Sequence, residues 1–172
     1  VAPVDEVPSL VDAHGKFFGT RQKLMDHRPD PAEVEKELRA QIELAFRKGL
    51  NISYVDYHMG AAMSTAEFQQ IVEKLATSYG IGISRYFEET DVKSIYSVPP
   101  QLKVDQAVEN LMALEEPGRY LLVIHPGWDN PEMQAMTDEN LSGFSNMSEH
   151  RQAEAQMLYD PKFMDAVDQK FQ

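Results

Sequence analysis

The chain has 172 residues, 42% of them hydrophobic, which is enough to bury the core of one domain of ordinary size. Its 16 basic and 28 acidic residues give a net charge of −12 that is spread along the chain, which argues against nucleic acid or an anionic membrane as the main partner. Cysteine is absent, which excludes disulfides, thiolate zinc sites and a cysteine nucleophile but leaves the compartment, cytoplasmic or extracytoplasmic, open.

No stretch approaches the roughly 20 apolar residues that a membrane span needs, and no signal peptide is recognisable at Val1. Because the first residue is Val rather than Met, we expect a processed or truncated product. His14 lies beside a glycine in a predicted turn, and His27 and His150 lie in polar surroundings, so we predict that all three are surface residues. Histidine chemistry then depends on His58 and His125.

Residues 1–20 contain prolines and glycines among short apolar pieces, which predicts a loop with brief extended segments. Asp30-Pro31 predicts the start of a helix, because the Asp side chain can cap free amides and proline fits the first helical position. Glu33 is expected to complete a capping box, and the helix is expected to run over residues 31–48. Its apolar stripe predicts packing on a flat surface: Val34, Leu38, Ile42, Ala45 and Phe46.

Residues 51–60 carry the most informative pattern, a predicted short strand that leads directly into a carboxylate, an imidazole and a glycine. Because side chains alternate across a strand, Asp56 and His58 are expected on one face. Such a pair can hold a divalent metal, or the carboxylate can orient an imidazole that acts on a substrate. The structural alternative stays open, in which Asp56 caps the following turn and His58 is a hydrogen-bonded core histidine.

The middle of the chain alternates helix and strand. A second capping box over residues 64–67 predicts a helix up to Gly80, and residues 81–87 predict a strand that ends near Arg85. A connection over residues 88–102 follows, and then a helix over residues 103–115.

The apolar run 120–124 is typical of a strand buried on both faces in a parallel sheet, and it ends in His125-Pro-Gly. A polar loop with Trp128 and a Met/Asn/Ser-rich segment up to about Ser148 come next. Two helices are predicted after that, one with Arg151, Glu154 and Leu158 and one that begins at Asp160-Pro161.

This alternation predicts an α/β fold with a parallel sheet. In such folds ligands bind at the carboxyl ends of the strands, and His58, Arg85 and His125 are all predicted at strand ends. We therefore expect the three side chains to lie on one rim and to form a site. For Arg85 a surface or sheet-edge salt bridge remains the alternative, and for Trp128 a half-buried loop aromatic.

Four segments in a fixed order carry a family resemblance: VPSLVDAHGKF (7–17), DYHMG (56–60), YGIGI (79–83) and HPGWD (125–129). With Arg151 and Asp160-Pro161 they cover nearly the whole chain. The chain resembles the YdjC-like (ChbG) carbohydrate deacetylases.

The resemblance implies a parallel-strand (β/α) barrel of the polysaccharide-deacetylase type. Residues 1–172 would be a single domain, the C-terminal portion of an incomplete barrel, with no separate second domain. The resemblance also implies that the chain begins just after the segment that should carry an Asp-Asp pair and a second metal histidine.

The implied activity is the hydrolysis of N-acetyl groups on amino-sugar oligosaccharides with one divalent metal ion, zinc or magnesium. Of the three metal ligands in the family only one has a counterpart here, His58. His125 would be the general acid, and Asp56, Arg85 and Trp128 would support or line the pocket. At Gly60 many relatives have another histidine.

Two other functions stay open beside this one. The first is a metal hydrolase of another small phosphate or amide substrate at the same rim. The second is a non-catalytic carbohydrate-binding or scaffold remnant of the fold that has lost its first strands. Whether the protein forms a homodimer is also open.

Overall fold

The computed structural model describes residues 1–136 and 143–171. The chain forms two compact units, Val1–Phe87 and Glu88–Gln172, and each has its own hydrophobic core. Each unit contains two short parallel strands joined through a helix, which confirms the predicted mixture of helices and parallel strands. The strands of the described residues form two separate two-stranded sheets, so the barrel stays a prediction, as does the single domain. In the same residues no helix is both long and apolar enough to cross a membrane.

The first unit opens with the predicted loop, in which two 3-10 turns, Val4–Glu6 and Pro8–Leu10, precede a single antiparallel bridge between Val11 and Phe17. A short helix that the sequence did not indicate follows, α1 (Arg21–Asp26). Its first turn is capped by the Thr20 hydroxyl, which accepts the amide hydrogen of Lys23.

Helix α2 (Pro31–Arg47) begins and ends close to the predicted residues. The Asp30 carboxylate accepts the Ala32 amide at 2.8 Å, as expected of an N-cap. The predicted capping box is wrong, because Glu33 instead accepts both the backbone amide and the hydroxyl of Ser9, at 2.7 and 2.6 Å. The Asp30 amide in turn donates to the Ser9 hydroxyl at 2.8 Å, so Ser9 ties the N-terminal loop to the start of the helix.

Strands β1 (Tyr54–Val55) and β2 (Gly82–Ile83) pair in parallel and are joined by helix α3 (Ala66–Tyr79). The N-cap of α3 is Thr65, one residue later than predicted, and its hydroxyl accepts the amide of the third helical residue. The helix ends at Gly80, whose φ of 65° is the left-handed conformation that glycine adopts most easily. Apolar side chains of α2, α3 and the N-terminal loop form the core of this unit: Val7, Leu10, Val34, Ile42, Phe68, Ile71 and Leu75.

In the second unit, strands β3 (Glu89–Asp91) and β4 (Arg119–Leu121) pair in parallel and are joined by helix α4 (Lys103–Met112). Strand β3 falls inside the segment 88–102, which was predicted as a connection only. Its charged sequence lacks the apolar run on which the strand prediction depended. Strand β4 is shorter than predicted and half-buried, and Val123 beyond it is 41% exposed, so the expectation of burial on both faces is wrong.

Three helices complete the second unit: α5 (Pro131–Ala135), α6 (Met147–Met157) and α7 (Pro161–Lys170). The start of α7 is confirmed as predicted, since the Asp160 carboxylate accepts the amide of Lys162 at 2.9 Å. Residues 137–142 of the predicted polar segment lie outside the described residues. The core of this unit is made by apolar side chains from the segment after β3 and from α4, α6 and α7: Val92, Ile95, Ala107, Leu111, Met157 and Phe163.

Candidate functional site

The carboxyl ends of β1 and β2 bring three polar side chains together in the first unit. The Ser84 amide donates to the Val55 carbonyl at 2.9 Å, which continues the strand ladder and puts Ser84 next to Asp56. The buried Ser84 hydroxyl donates to Asp56 Oδ2 at 2.5 Å. Arg85 Nη1 lies 3.4 Å from the same oxygen. The two strand ends thus hold one carboxylate between a hydroxyl and a guanidinium.

Arg85 reaches this position through an uncommon backbone conformation. Its φ is 66°, in the left-handed region that side chains other than glycine seldom adopt. Its guanidinium carbon lies 5.4 Å from the centre of the Tyr57 ring, which is within cation–π range. The ion pair with Asp56 is a salt bridge of the kind left open as the alternative for Arg85, and a supporting role for Arg85 in a pocket stays a prediction.

His58 is positioned by a turn rather than by the strand. Strand β1 ends at Val55, and a 3-10 turn, His58–Met63, begins at the histidine itself. The prediction that strand alternation puts His58 on one face with Asp56 is therefore wrong. The pattern of the sequence did not reveal the turn because its first left-handed residue is Met59 (φ 56°) and not a glycine, whereas Gly60 follows at φ 73°.

Despite the turn, Asp56 and His58 both line one cavity of about 350 Å³ in the first unit. Most of the remaining wall is apolar and is contributed by the N-terminal loop, α1, α2, the 3-10 turn and α3; it includes Leu10, Phe17, Phe18, Leu24 and Phe68. The cavity is lined by two carboxylates, Asp56 and Glu37, and by the imidazole of His58. A few polar groups in a mostly apolar wall are the kind of arrangement that orients a small ligand.

In the second unit the loop after β4 is bound to α6 through its backbone. The amides of His125, Gly127 and Asp129, every second residue, donate to acceptors on that helix. The His125 amide donates to the carboxylate of Glu154. The Gly127 amide donates to the carbonyl of Arg151 at 3.1 Å, and the Asp129 amide to the side-chain oxygen of Gln152 at 2.8 Å. A side chain at Gly127 would meet Met133 and Arg151 at 2.9 and 3.4 Å, so glycine allows this close approach.

Glu154 belongs to a buried ion pair that sequence reasoning missed. Its Oε1 lies 2.7 Å from Nζ of Lys103, and the two side chains are 3% and 0% exposed. Lys103 Nζ also donates to the carbonyls of Ile95 and Tyr96, at 2.9 and 3.3 Å. The position of Lys103 at the first residue of α4 could have indicated an acidic partner, because a cation is disfavoured at the N-terminal end of the helix dipole unless an anion faces it.

His125 lies between this ion pair and an aromatic ring. Its Nδ1 is 3.9 Å from Glu154 Oε2, which is ion-pair distance, and its side chain is 28% exposed. The ring of Tyr96 meets the imidazole edge to face with centroids 5.6 Å apart. Trp128, three residues further on, is 58% exposed.

The prediction that His150 is a surface residue is wrong. The side chain is buried, and its ring stacks on Phe144 with centroids 4.1 Å apart. Burial, and secondarily the charge of Lys103, lowers the pKa of the His150 imidazole below its ordinary value. The error arose because burial is set by tertiary packing, which the polar neighbours of His150 in the sequence do not reveal. His14 and His27 are exposed, as predicted.

Metal ligation by His58 stays a prediction. Among residues 1–136 and 143–171 no group of three or more His, Asp or Glu side chains lies close enough to hold a metal ion. His58 and Arg85 belong to the first unit and His125 to the second. The expectation that all three share one rim therefore also stays a prediction.

The fold and these side chains define a mixed α/β protein with short parallel strands whose carboxyl ends are followed by a carboxylate, a guanidinium and an imidazole. A family model described as YdjC-like protein matches residues 1–169. The chain therefore belongs to the YdjC-like family, which confirms the resemblance.

Curated relatives support the same assignment. The chain is 35% identical over 83 residues to a carbohydrate deacetylase of Brevibacillus brevis, which is 48% of this chain and 32% of the relative. It is 43% identical over 54 residues to a carbohydrate deacetylase of Oceanobacillus iheyensis, which is 31% of this chain and 24% of the relative. It is 35% identical over 81 residues to a carbohydrate deacetylase of Geobacillus stearothermophilus, which is 47% of this chain and 32% of the relative. The chain thus covers about a third or less of each of these relatives.

Proposed function

We propose that the protein is a metal-dependent hydrolase that removes N-acetyl groups from amino-sugar oligosaccharides. The observation that carries the proposal is His125, held by α6 in the loop after β4, in a chain of the YdjC-like family. The relatives named carbohydrate deacetylase support the substrate class. We also propose that the two parallel strand pairs belong to a (β/α) barrel of the polysaccharide-deacetylase type.

In this proposal His125 is the general acid. Amide hydrolysis needs a proton on the leaving amine, and an imidazolium can deliver it at near-neutral pH. A partly exposed imidazole whose backbone is fixed by α6 suits such a transfer, because the donor then keeps its position while the substrate exchanges. Asp56, held by Ser84 and Arg85, would orient the substrate or a second polar group.

A divalent metal ion, zinc or magnesium, would polarise the acetamide carbonyl and activate water when bound. Of the described residues His58 is the one we assign to it. These residues alone do not make a complete ligand set, so the remaining ligands would have to come from outside them.

The experiment measures acetate release from N-acetylated chitooligosaccharides by the native full-length protein, with metal content determined on the same sample. We expect bound metal and acetate release. His125→Ala should lower kcat by at least a hundredfold with metal retained, and His58→Ala should lose metal. His14→Ala, which alters an exposed histidine, is the matched control. Normal turnover in both His58→Ala and His125→Ala would refute the proposal.

A second candidate is a non-catalytic carbohydrate-binding module, and the exposed Trp128 favours it as much as it favours the enzyme. Aromatic rings that are open to solvent can stack on the apolar face of a sugar whether or not a reaction follows. Oligosaccharide binding that Trp128→Ala abolishes, without acetate release under any metal condition, would identify this function instead.

A further inference from the structure

Glu154 lies on α6 opposite the loop that follows β4, and its two oxygens have different partners. Oε1 accepts from Nζ of Lys103 at 2.7 Å. Oε2 accepts the backbone amide of His125 and lies 3.9 Å from Nδ1 of the same residue. A single buried carboxylate therefore contacts both the backbone and the side chain of the histidine to which we assign the proton transfer.

We propose that Glu154, with Lys103 as its buried counter-ion, is the positioning residue of His125. This inference rests on the proposed function, since it takes His125 as the general acid. Glu154 fixes the backbone of His125 and attracts the Nδ1 side of its ring.

Lys103 has a specific part in this arrangement. Burying a carboxylate that is 3% exposed is costly unless a cation faces it, and Lys103 is a cation at hydrogen-bond distance. The ammonium group is fixed in turn by the carbonyls of Ile95 and Tyr96. Because Lys103 occupies one carboxylate oxygen, the other is left to accept from His125.

The edge of the Tyr96 ring restricts the imidazole further. Its centroid is 5.6 Å from that of His125, and the same residue supplies one of the carbonyls that bind Lys103. Residues 95 and 96, Lys103 and Glu154 thus form one connected support for the imidazole. A merely structural ion pair would stabilise the unit without any effect on the ring of His125.

The test uses Glu154→Gln in the native full-length protein, because the amide keeps the shape of the side chain and removes its charge. The first measurement is the pair of imidazole 15N chemical shifts of His125, assigned with His125→Ala. We expect them to change in Glu154→Gln and to stay unchanged in the control Glu35→Gln. Glu35 is a carboxylate of the first unit paired with Lys74 and Arg39.

The second measurement is steady-state kinetics. We expect Glu154→Gln to lower kcat at least tenfold with KM changed by less than twofold, and Glu154→Asp, which keeps the charge, to recover part of kcat. If Glu154→Gln fails to fold, Glu154→Asp alone carries the test, through altered 15N shifts and a reduced kcat. A folded variant with unchanged shifts would overturn the inference. A wild-type protein without deacetylase activity would refute the proposed function. The 15N shifts of His125 would still test whether Glu154 contacts its imidazole.

Discussion

Replacing Lys103 with methionine should destabilise the second unit strongly. Methionine keeps most of the aliphatic stem but removes the ammonium group, which donates to Glu154 and to the carbonyls of Ile95 and Tyr96. Removing one partner of a buried ion pair costs about 3–5 kcal/mol, because the other charge is left uncompensated. The two carbonyls lose a donor as well, but these losses overlap with the first and are not additive. We therefore expect a loss of about 4 kcal/mol in the free energy of unfolding.

Urea denaturation followed by circular dichroism and by the fluorescence of Trp128, which belongs to the same unit, measures this loss. The matched control is Lys162→Met, which removes an ion pair with Asp105 of similar length, 2.5 Å, but with both side chains mostly exposed. It should cost less than about 1 kcal/mol. The double variant Lys103→Met/Glu154→Gln should regain part of the loss, because no buried charge remains. A Lys103→Met variant within about 1 kcal/mol of the wild type would refute the reasoning.

Three further changes test other parts of the fold, each by urea denaturation. Gly80→Ala should lower the free energy of unfolding by about 1 kcal/mol because of its left-handed φ alone, since no atom lies within 4 Å of the added methyl group. The control Gly118→Ala, at a residue with ordinary φ, should be nearly neutral. Ser84→Ala should cost about 1 kcal/mol through the lost hydrogen bond to Asp56, and an unchanged stability would contradict that contact. His150→Phe should flatten the fall in stability between pH 7 and pH 5.5, and an unchanged slope would exclude His150 as its source.

The sign of the pH effect follows from the lowered pKa of His150. The unfolded chain binds the proton near the ordinary value of 6.5, whereas the folded chain binds it only at lower pH. Stability is therefore full above pH 6.5, falls as the pH drops below that value, and stops falling below the folded pKa. The slope is at most about 1.4 kcal/mol per pH unit for one proton. Lys103 and burial oppose the proton, while Glu154, Glu149 and the Tyr96 carbonyl favour it.

The sequence was most informative where local chemistry decides the structure. Asp30-Pro31 and Asp160-Pro161 begin helices, and Gly80 ends one, because caps and left-handed glycines act within a few residues. The contact that Glu33 makes with Ser9, in place of the predicted capping box, could not be predicted in the same way. Its partner Ser9 is 24 residues away in the sequence, and a local pattern holds no information on such a contact.

In the candidate site, too, the local features could be predicted from the sequence and the long-range contacts could not. The sequence pointed to His58, Arg85 and His125 because they follow apolar runs, and the structure puts them two to four residues beyond a strand. Their roles in a site stay predictions. The sequence did not reveal the buried ion pair beside His125, because Lys103 and Glu154 are 51 residues apart. The sequence analysis also wrongly continued the strand pattern to His58, because neither a proline nor a glycine stands before the 3-10 turn that begins there. Tertiary contacts and positive φ angles at residues other than glycine cannot be read from the periodicity of a sequence.

The most direct test of the account is acetate release from an N-acetylated chitooligosaccharide by the native full-length protein, with and without removal of its metal by a chelator. The account predicts release that stops on chelation, returns with added zinc or magnesium, and is lost in His125→Ala while the metal stays bound. Acetate release that persists in His125→Ala, or its absence from a metal-loaded wild-type protein, would contradict it.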